Sequence, residues 1–67
     1  MIALTVNGKP FYSEESLTIL QLLEKLELEG KRLALERNGE IVPRSVFGDQ
    51  QLADGDIVEI VMAVGGG

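Results

Sequence analysis

The sequence predicts an α+β domain in which one helix covers one face of a small mixed sheet of four to five strands. Short apolar segments with the two-residue period of strands occur on both sides of a single segment with a helical period. Two Asn-Gly dipeptides each follow a strand-like segment, which is the signal of a tight hairpin. The order hairpin, helix, hairpin, strand places the first and last strands side by side and parallel, because the segments between them supply the crossover that a parallel pair requires.

The first hairpin is predicted at the start of the chain. Residues 2–6 alternate with the period of a half-buried strand, and Asn7-Gly8 follows directly. The chain is expected to return over residues 9–12. Pro10 cannot donate a ladder hydrogen bond, so this second strand is predicted to lie at an edge of the sheet.

One helix is predicted after a polar connection. Thr18 and Gln21 have the spacing of a capping box, so the helix is expected to begin there. Its apolar stripe consists of Ile19, Leu22, Leu23 and Leu26. Gly30 is expected to take the left-handed conformation that follows a helix C-terminus. A helix this short depends for its stability on packing that stripe against the sheet.

The second hairpin is predicted from residues 33–37, the turn Asn38-Gly39 and a short return strand that Pro43 ends. Residues 44–52 have no clean period. We expect a loop or a helical turn there. Its predicted apolar anchors are Val46, Phe47 and Leu52.

The last strand, residues 57–62, follows a turn at Asp54-Gly55-Asp56 and is the most apolar strand in the chain. Val58 and Ile60 are assigned to the core, because Glu59 on the opposite face would be costly to bury without a partner. This assignment leaves Val61 exposed beside Glu59.

Length and composition exclude several classes of function. Sixty-seven residues are expected to form one domain, residues 1–62, followed by a tail of residues 63–67. Eleven acidic and six basic residues give a net charge of −5, which argues against a nucleic-acid or membrane partner and favours a basic protein surface. The sequence has no cysteine, no signal-peptide pattern and no apolar segment near the roughly 20 residues that span a bilayer. A cytoplasmic location is therefore expected.

No catalytic constellation is found in the sequence. Histidine and cysteine are absent, which removes the usual general base and the most reactive nucleophile. Asp54 and Asp56 lack the further carboxylates of a calcium loop and are interpreted as turn residues. We therefore expect no metal, no bound cofactor and no enzymatic activity of the chain itself.

The chain ends in Gly65, Gly66 and Gly67, and the distinctive chemical group of this tail is the carboxylate of Gly67. Glycine permits close approaches of the main chain that other residues forbid. Two interpretations fit the residues alone. The tail is either a frayed terminus or a strip of main chain that threads into a partner's narrow site and offers Gly67 for reaction.

Four features in combination resemble the ThiS sulfur carriers of thiamine biosynthesis. They are Asn7-Gly8 after the first strand, the segment from Glu36 to Arg44, the turn Asp54-Gly55-Asp56 and the ending from Ala63 to Gly67. The similarity covers essentially the whole chain. It implies the ubiquitin-like β-grasp fold, which agrees with the architecture predicted above.

The resemblance also implies a reaction at the tail. A ThiF-type adenylyltransferase would use ATP to activate the carboxylate of Gly67, and the adenylate would become a thiocarboxylate with sulfur from a donor protein. A ThiG-type thiazole synthase would then receive the sulfur. Gly66 and Gly67 would lie in the partner's active site, and Gly65 matches a third glycine that some members have.

Partner contacts are predicted on the outer face of the last strand and at the root of the tail: Glu59, Val61, Ala63 and Val64. Apolar patches rimmed by charge are typical contact surfaces, although ordinary exposed apolar residues give the same pattern. Arg44 is either a further contact residue or a solvated loop arginine. Two other functions stay open, a MoaD-type carrier for molybdopterin synthesis and a β-grasp interaction module whose tail is inert.

Overall fold

The computed structural model describes residues 1–63, so the predictions for Val64 and for the three terminal glycines lie outside the described residues. In chain order the described elements are β1 (Ile2–Val6), β2 (Lys9–Ser13), α1 (Ile19–Lys25), β3 (Leu33–Arg37), β4 (Glu40–Ile41), a short 3-10 helix (Arg44–Val46) and β5 (Ile57–Met62). Both predicted hairpins, the helix and the last strand are confirmed.

The five strands form one sheet in the order β2-β1-β5-β3-β4. The central strands β1 and β5 run parallel, with Thr5 opposite Ile57, and the other neighbouring pairs are antiparallel. The prediction that the first and last strands pair in the middle is confirmed. Strand β2, which contains Pro10, lies at the edge as expected.

The core lies between α1 and one face of the sheet. Val58 and Ile60 of β5 are buried there, whereas Val61 is 61% exposed, so the predicted orientation of the last strand is confirmed. The buried apolar residues are Leu4, Leu17, Ile19, Leu22, Leu23, Leu35, Val42, Phe47, Leu52, Val58 and Ile60. Full burial of a Leu or Ile side chain contributes roughly 1.5–3 kcal/mol, which is why a helix of two turns is stable here.

The predicted capping box begins the helix. The Gln21 backbone N–H donates to Thr18 Oγ1 over 3.1 Å, and the Thr18 backbone N–H donates to Gln21 Oε1 over 2.9 Å. The two bonds satisfy backbone donors that have no partner within the helix. Helix α1 therefore begins at the position that the sequence predicted.

The predicted end of the helix is wrong. The helix ends at Lys25, and Glu27, with a φ of 60°, takes the left-handed conformation that was assigned to Gly30. The Leu28 N–H donates to the Leu23 carbonyl over 2.8 Å, and the Glu27 N–H donates to the Glu24 carbonyl over 3.0 Å. These are the two bonds of a Schellman motif. The early end turns Leu28 back against the core, and this packing offsets the strain at Glu27. Gly30 has a φ of 76° in a later turn.

The segment between β4 and β5 is anchored as predicted. Phe47 and Leu52 are buried, and Val46 packs against the core from a half-buried position. The Leu52 N–H donates to the Leu17 carbonyl over 2.7 Å, and the Leu20 N–H donates to the Phe47 carbonyl over 2.9 Å. The segment is therefore fastened to the start of the helix.

The turn before β5 contains a buried carboxylate that the sequence did not reveal. Asp56 is 7% exposed and accepts from the Ala53 N–H (2.8 Å), Asn38 Nδ2 (3.0 Å) and Arg37 Nε (2.8 Å). Burial alone would raise the pKa of Asp56, but the hydrogen bonds from Ala53, Asn38 and Arg37, together with the charge of Arg37, lower this pKa below its ordinary value. Asp56 thus joins the turn to the β3–β4 hairpin.

Candidate functional site

The described part of the candidate site is the end of β5, from which the tail leaves. The Ala63 N–H donates to the Arg32 carbonyl over 3.0 Å, so the pairing with the β3 side continues one residue beyond the strand. Val64, Gly65, Gly66 and Gly67 lie outside the described residues. We refer to Met62 and Ala63 as the tail root.

Two turn asparagines bond to the backbone of β5. Asn7 Oδ1 accepts from the Ile60 N–H over 2.7 Å, and Asn7 Nδ2 donates to the Ile60 carbonyl over 3.2 Å. On the other side, Asn38 Oδ1 accepts from the Ile57 N–H over 2.9 Å. The φ angles of Asn7 and Asn38 are 50° and 53°, in the left-handed region. Asparagine tolerates this conformation and also supplies the side-chain bonds, so the hairpin turns hold the strand that leads to the tail.

The face of the sheet opposite α1 is exposed. On β5 it presents Ile57, Glu59 and Val61, which confirms the predicted alternation. Strand register adds further exposed apolar side chains, Tyr12 of β2 (65% exposed) and Ile41 of β4 (73% exposed). This uncovered face, defined here as Tyr12, Ile41, Ile57, Glu59 and Val61, is wide enough to involve three strands.

Two carboxylates lie opposite each other on the side of the sheet away from α1, one of them the Glu59 of the uncovered face and the other the half-buried Glu36. Glu36 of β3 pairs in register with Glu59 of β5. Like charges at opposed positions destabilise a sheet by a few tenths to about 1 kcal/mol. A basic group placed between the two carboxylates would relieve this repulsion.

Arg44 does not join the other predicted contact residues. It begins the 3-10 helix on the side of the domain that carries α1, and its Nη2 donates to the Lys31 carbonyl over 2.7 Å. Arg44 is exposed, so its role in partner binding stays a prediction. The same holds for Glu59, Val61 and Ala63, which the structure places together at the end of the central strand.

Three exposed apolar residues of the uncovered face were not predicted as contacts: Tyr12, Ile41 and Ile57. The exposure of Ile57 could have been predicted from the sequence, because alternate residues of a strand share a face and Ile57 alternates with Glu59 and Val61 along β5. Tyr12 and Ile41 reach the face only through the cross-strand register, which local periodicity does not specify.

Two kinds of site were looked for among the side chains and helices of residues 1–63, a metal site and a membrane span. Within residues 1–63, no group of three or more acidic, histidine or cysteine side chains is arranged to hold a metal ion. In the same range no helix is long and apolar enough to span a membrane. What the fold provides is a fixed central strand that delivers the tail root beside an exposed face.

A mixed five-stranded sheet with a parallel central pair and one helix covering one face defines a ubiquitin-like β-grasp domain. The comparisons with known proteins specify the family. The model of the ThiS family matches residues 4–67. The chain belongs to the ThiS family.

Similar proteins extend over nearly the whole chain. The sulfur carrier protein ThiS of Bacillus subtilis is 40% identical over 65 residues, which are 96% of this chain and 98% of that protein. The crystal structure of the thiamine biosynthesis protein ThiS from Geobacter metallireducens superposes with a TM-score of 0.84 at 39% identity, covering 98% of this chain and all of that one. A thiazole synthase of Paramagnetospirillum magneticum is 41% identical over 64 residues, which are 96% of this chain but 20% of that protein. A domain similar to this chain therefore also occurs within a longer polypeptide.

Proposed function

We propose that this chain carries sulfur for the formation of the thiazole of thiamine, with the α-carboxylate of Gly67 as the group that is modified. The observation that carries the proposal is the ThiS family match, which runs from residue 4 through Gly67. The B. subtilis relative, aligned over nearly its full length, is named a sulfur carrier protein.

The proposed chemistry requires activation by a partner, because a free carboxylate is a poor electrophile. In the first step a carboxylate oxygen of Gly67 attacks the α-phosphorus of ATP and pyrophosphate leaves. The terminal sulfur of a donor protein's persulfide then attacks the acyl carbon of the adenylate and AMP leaves, which gives an acyl disulfide. Two thiols reduce its S–S bond and become a disulfide, so the donor departs as a free thiol and the thiocarboxylate remains on Gly67. The chain has no histidine and no cysteine, so in this proposal the partners supply the catalytic groups and the ATP site, and the chain acts as a co-substrate rather than an enzyme.

The glycine tail suits a reaction in a confined site. Without a Cβ atom, Gly65, Gly66 and Gly67 let the main chain pass close to protein walls and let the acyl carbon reach both nucleotide and sulfur nucleophile. Selectivity must then come from the folded domain. In this proposal the uncovered face supplies it through Val61, with Glu59 at the margin, and the tail root supplies it through Ala63 together with the following Val64.

A ThiF-type adenylyltransferase is the proposed activating partner and a ThiG-type thiazole synthase the proposed acceptor. The second assignment is supported by the relative from P. magneticum, a protein named thiazole synthase that contains a domain similar to this chain. Cytoplasm is the proposed location, since the reaction consumes ATP.

The test is the intact mass of the chain after incubation with ATP, a sulfur donor and a ThiF-type adenylyltransferase. We expect the mass to rise by the difference between sulfur and oxygen, and to return to its starting value when a ThiG-type thiazole synthase and its other substrates are added. An unchanged mass with an adenylyltransferase that loads its own known carrier would contradict the proposal and favour an inert tail.

A further inference from the structure

A pocket of about 360 Å³ opens on the side of the domain that carries α1, away from the uncovered face. Its apolar lining consists of Leu20, Leu23, Leu28, Leu33 and Phe47. The volume lies at the low end of the roughly 300–1,000 Å³ that ligand pockets occupy. Leu20 is 40% exposed in spite of its apolar side chain, so the pocket has an apolar surface that the domain itself leaves open.

The rim of this pocket is basic although the chain is acidic. Lys31 and Arg44 both line it, and the bond from Arg44 Nη2 to the Lys31 carbonyl fixes their positions relative to each other. Arg32 follows Lys31 in the chain. Three of the six basic residues of a chain with a net charge of −5 are thus gathered in one region. Glu29 is the acidic residue of the described lining.

The pocket lies beside the tail root. Leu33 of its lining pairs in register with Met62, the last residue of β5. Arg32 lies between Lys31 and Leu33 in the chain, and its backbone carbonyl accepts the hydrogen bond from the Ala63 N–H. A partner protein that binds the tail in an extended conformation therefore also reaches the rim of the pocket.

We propose that this pocket is a docking site for the adenylating partner, and that it receives an apolar side chain of that partner flanked by a carboxylate. The inference rests on the proposed function, which supplies the partner. The apolar lining buries the side chain, and Lys31 and Arg44 pair with the carboxylate. A tail of glycines has no side chains to recognise, so a charged and apolar contact next to its root lets the partner select this carrier before ATP is consumed.

Gly48 allows the pocket to be filled by substitution. It lines the pocket, its φ lies outside the left-handed region, and a Cβ built on it would have Leu20 Cδ2, at 3.8 Å, as its nearest neighbour. Gly48→Leu therefore puts a side chain into the pocket without backbone strain, and Gly48→Ala is the matched control that leaves most of the volume open.

Lys31→Glu reverses one of the two positive charges at the rim of the pocket. Its control is Lys9→Glu, which changes the charge equally in β2 at the far edge of the sheet.

The measured quantity is the chain concentration that gives half of the maximal loading rate with a ThiF-type adenylyltransferase, MgATP and a sulfur donor. We expect Gly48→Leu and Lys31→Glu each to raise this concentration about tenfold, while Gly48→Ala and Lys9→Glu stay within about twofold of the unmodified chain. All variants should reach the same final loaded mass, because Gly67 is unchanged.

Equal half-saturating concentrations for the unmodified chain and Lys31→Glu would overturn the docking site while leaving the proposed function intact. Failure of the unmodified chain to acquire sulfur would instead contradict the proposed function. Circular dichroism of Gly48→Leu checks its fold. Lys31 has an exposed side chain, so Lys31→Glu decides the question even if Gly48→Leu unfolds.

Discussion

The carboxylate of Asp56 fastens the start of β5 to the β3–β4 hairpin, so its replacement by asparagine should loosen the strand that leads to the tail. The substitution keeps the shape of the side chain but removes its charge, and the new amide group faces the donors of Ala53, Asn38 and Arg37. A hydrogen bond to a charged group contributes about 1.5–3 kcal/mol. The Arg37 side chain is 23% exposed and regains some hydration, so we expect a loss of about 2 kcal/mol.

Thermal unfolding followed by circular dichroism at pH 7 measures this loss. For a domain of this size, about 2 kcal/mol corresponds to a fall in Tm of roughly 8–16 °C. Arg37→Met and the double variant complete a thermodynamic cycle, and the second substitution should cost far less once Asp56 has been replaced. A Tm for Asp56→Asn within about 2 °C of the unmodified chain would refute the assignment of Asp56 as a structural link.

The same carboxylate predicts the direction of the pH dependence. The pKa of Asp56 is lowered in the folded chain from an ordinary value of 3.8, so its contribution to stability is fully present above that value and is lost as the pH falls through the lowered pKa. The difference in unfolding free energy between the unmodified chain and Asp56→Asn should therefore shrink in acid. A difference that stays constant or widens between neutral and acidic pH would contradict the lowered pKa.

Five further variants, four substitutions and one deletion, test other features of the chain. Glu27→Gly should stabilise the fold by about 1 kcal/mol in chemical unfolding, because glycine removes the left-handed strain, whereas Glu24→Gly within the helix should destabilise it by a similar amount. Val61→Asp should leave the Tm nearly unchanged and weaken binding to a ThiF-type adenylyltransferase, as measured by calorimetry. If this variant unfolds instead, Val61 belongs to the core. Glu59→Lys should raise the Tm at low salt by relieving repulsion from Glu36, and the rise should fade at high salt. Deletion of Gly66 and Gly67 should abolish the mass change with no loss of fold.

Local rules predicted most of the fold. The two Asn-Gly turns, the capping box at Thr18 and the alternation of β5 each act within a few residues, and each was found in the structure. The pairing of β1 with β5 followed from element order alone, since a parallel pair needs a long crossover. The turns, the capping box and the alternation share stabilising contacts that are visible in a short window of sequence.

The features that sequence reasoning missed depend on distant contacts. Glu27 adopts a positive φ because Leu28 packs back against the core, so the glycine nearest the helix was the wrong guide to its end. Asp56 is buried by partners 18 and 19 residues away along the chain. The bond between Asn7 and Ile60 spans 53 residues. No periodicity or turn propensity encodes such separations.

In the candidate site, too, local patterns predicted some features, and others depend on contacts between distant residues. Glu59 and Val61 share a face because strand alternation requires it, and their exposure could be predicted. The breadth of the uncovered face could be predicted only with the register that places Tyr12 and Ile41, on the two edge strands, on the same face of the sheet as Val61. The placement of Arg44 on the opposite side depends on the path of residues 44–52, where the sequence has no clean period.

The central claim is that Gly67 carries the sulfur, and fragmentation of the loaded chain in a mass spectrometer tests it most directly. We predict that every C-terminal fragment containing Gly67 shows the mass of one sulfur in place of one oxygen, while every fragment lacking Gly67 keeps its unmodified mass. Sulfur found on fragments that lack Gly67 would contradict the claim.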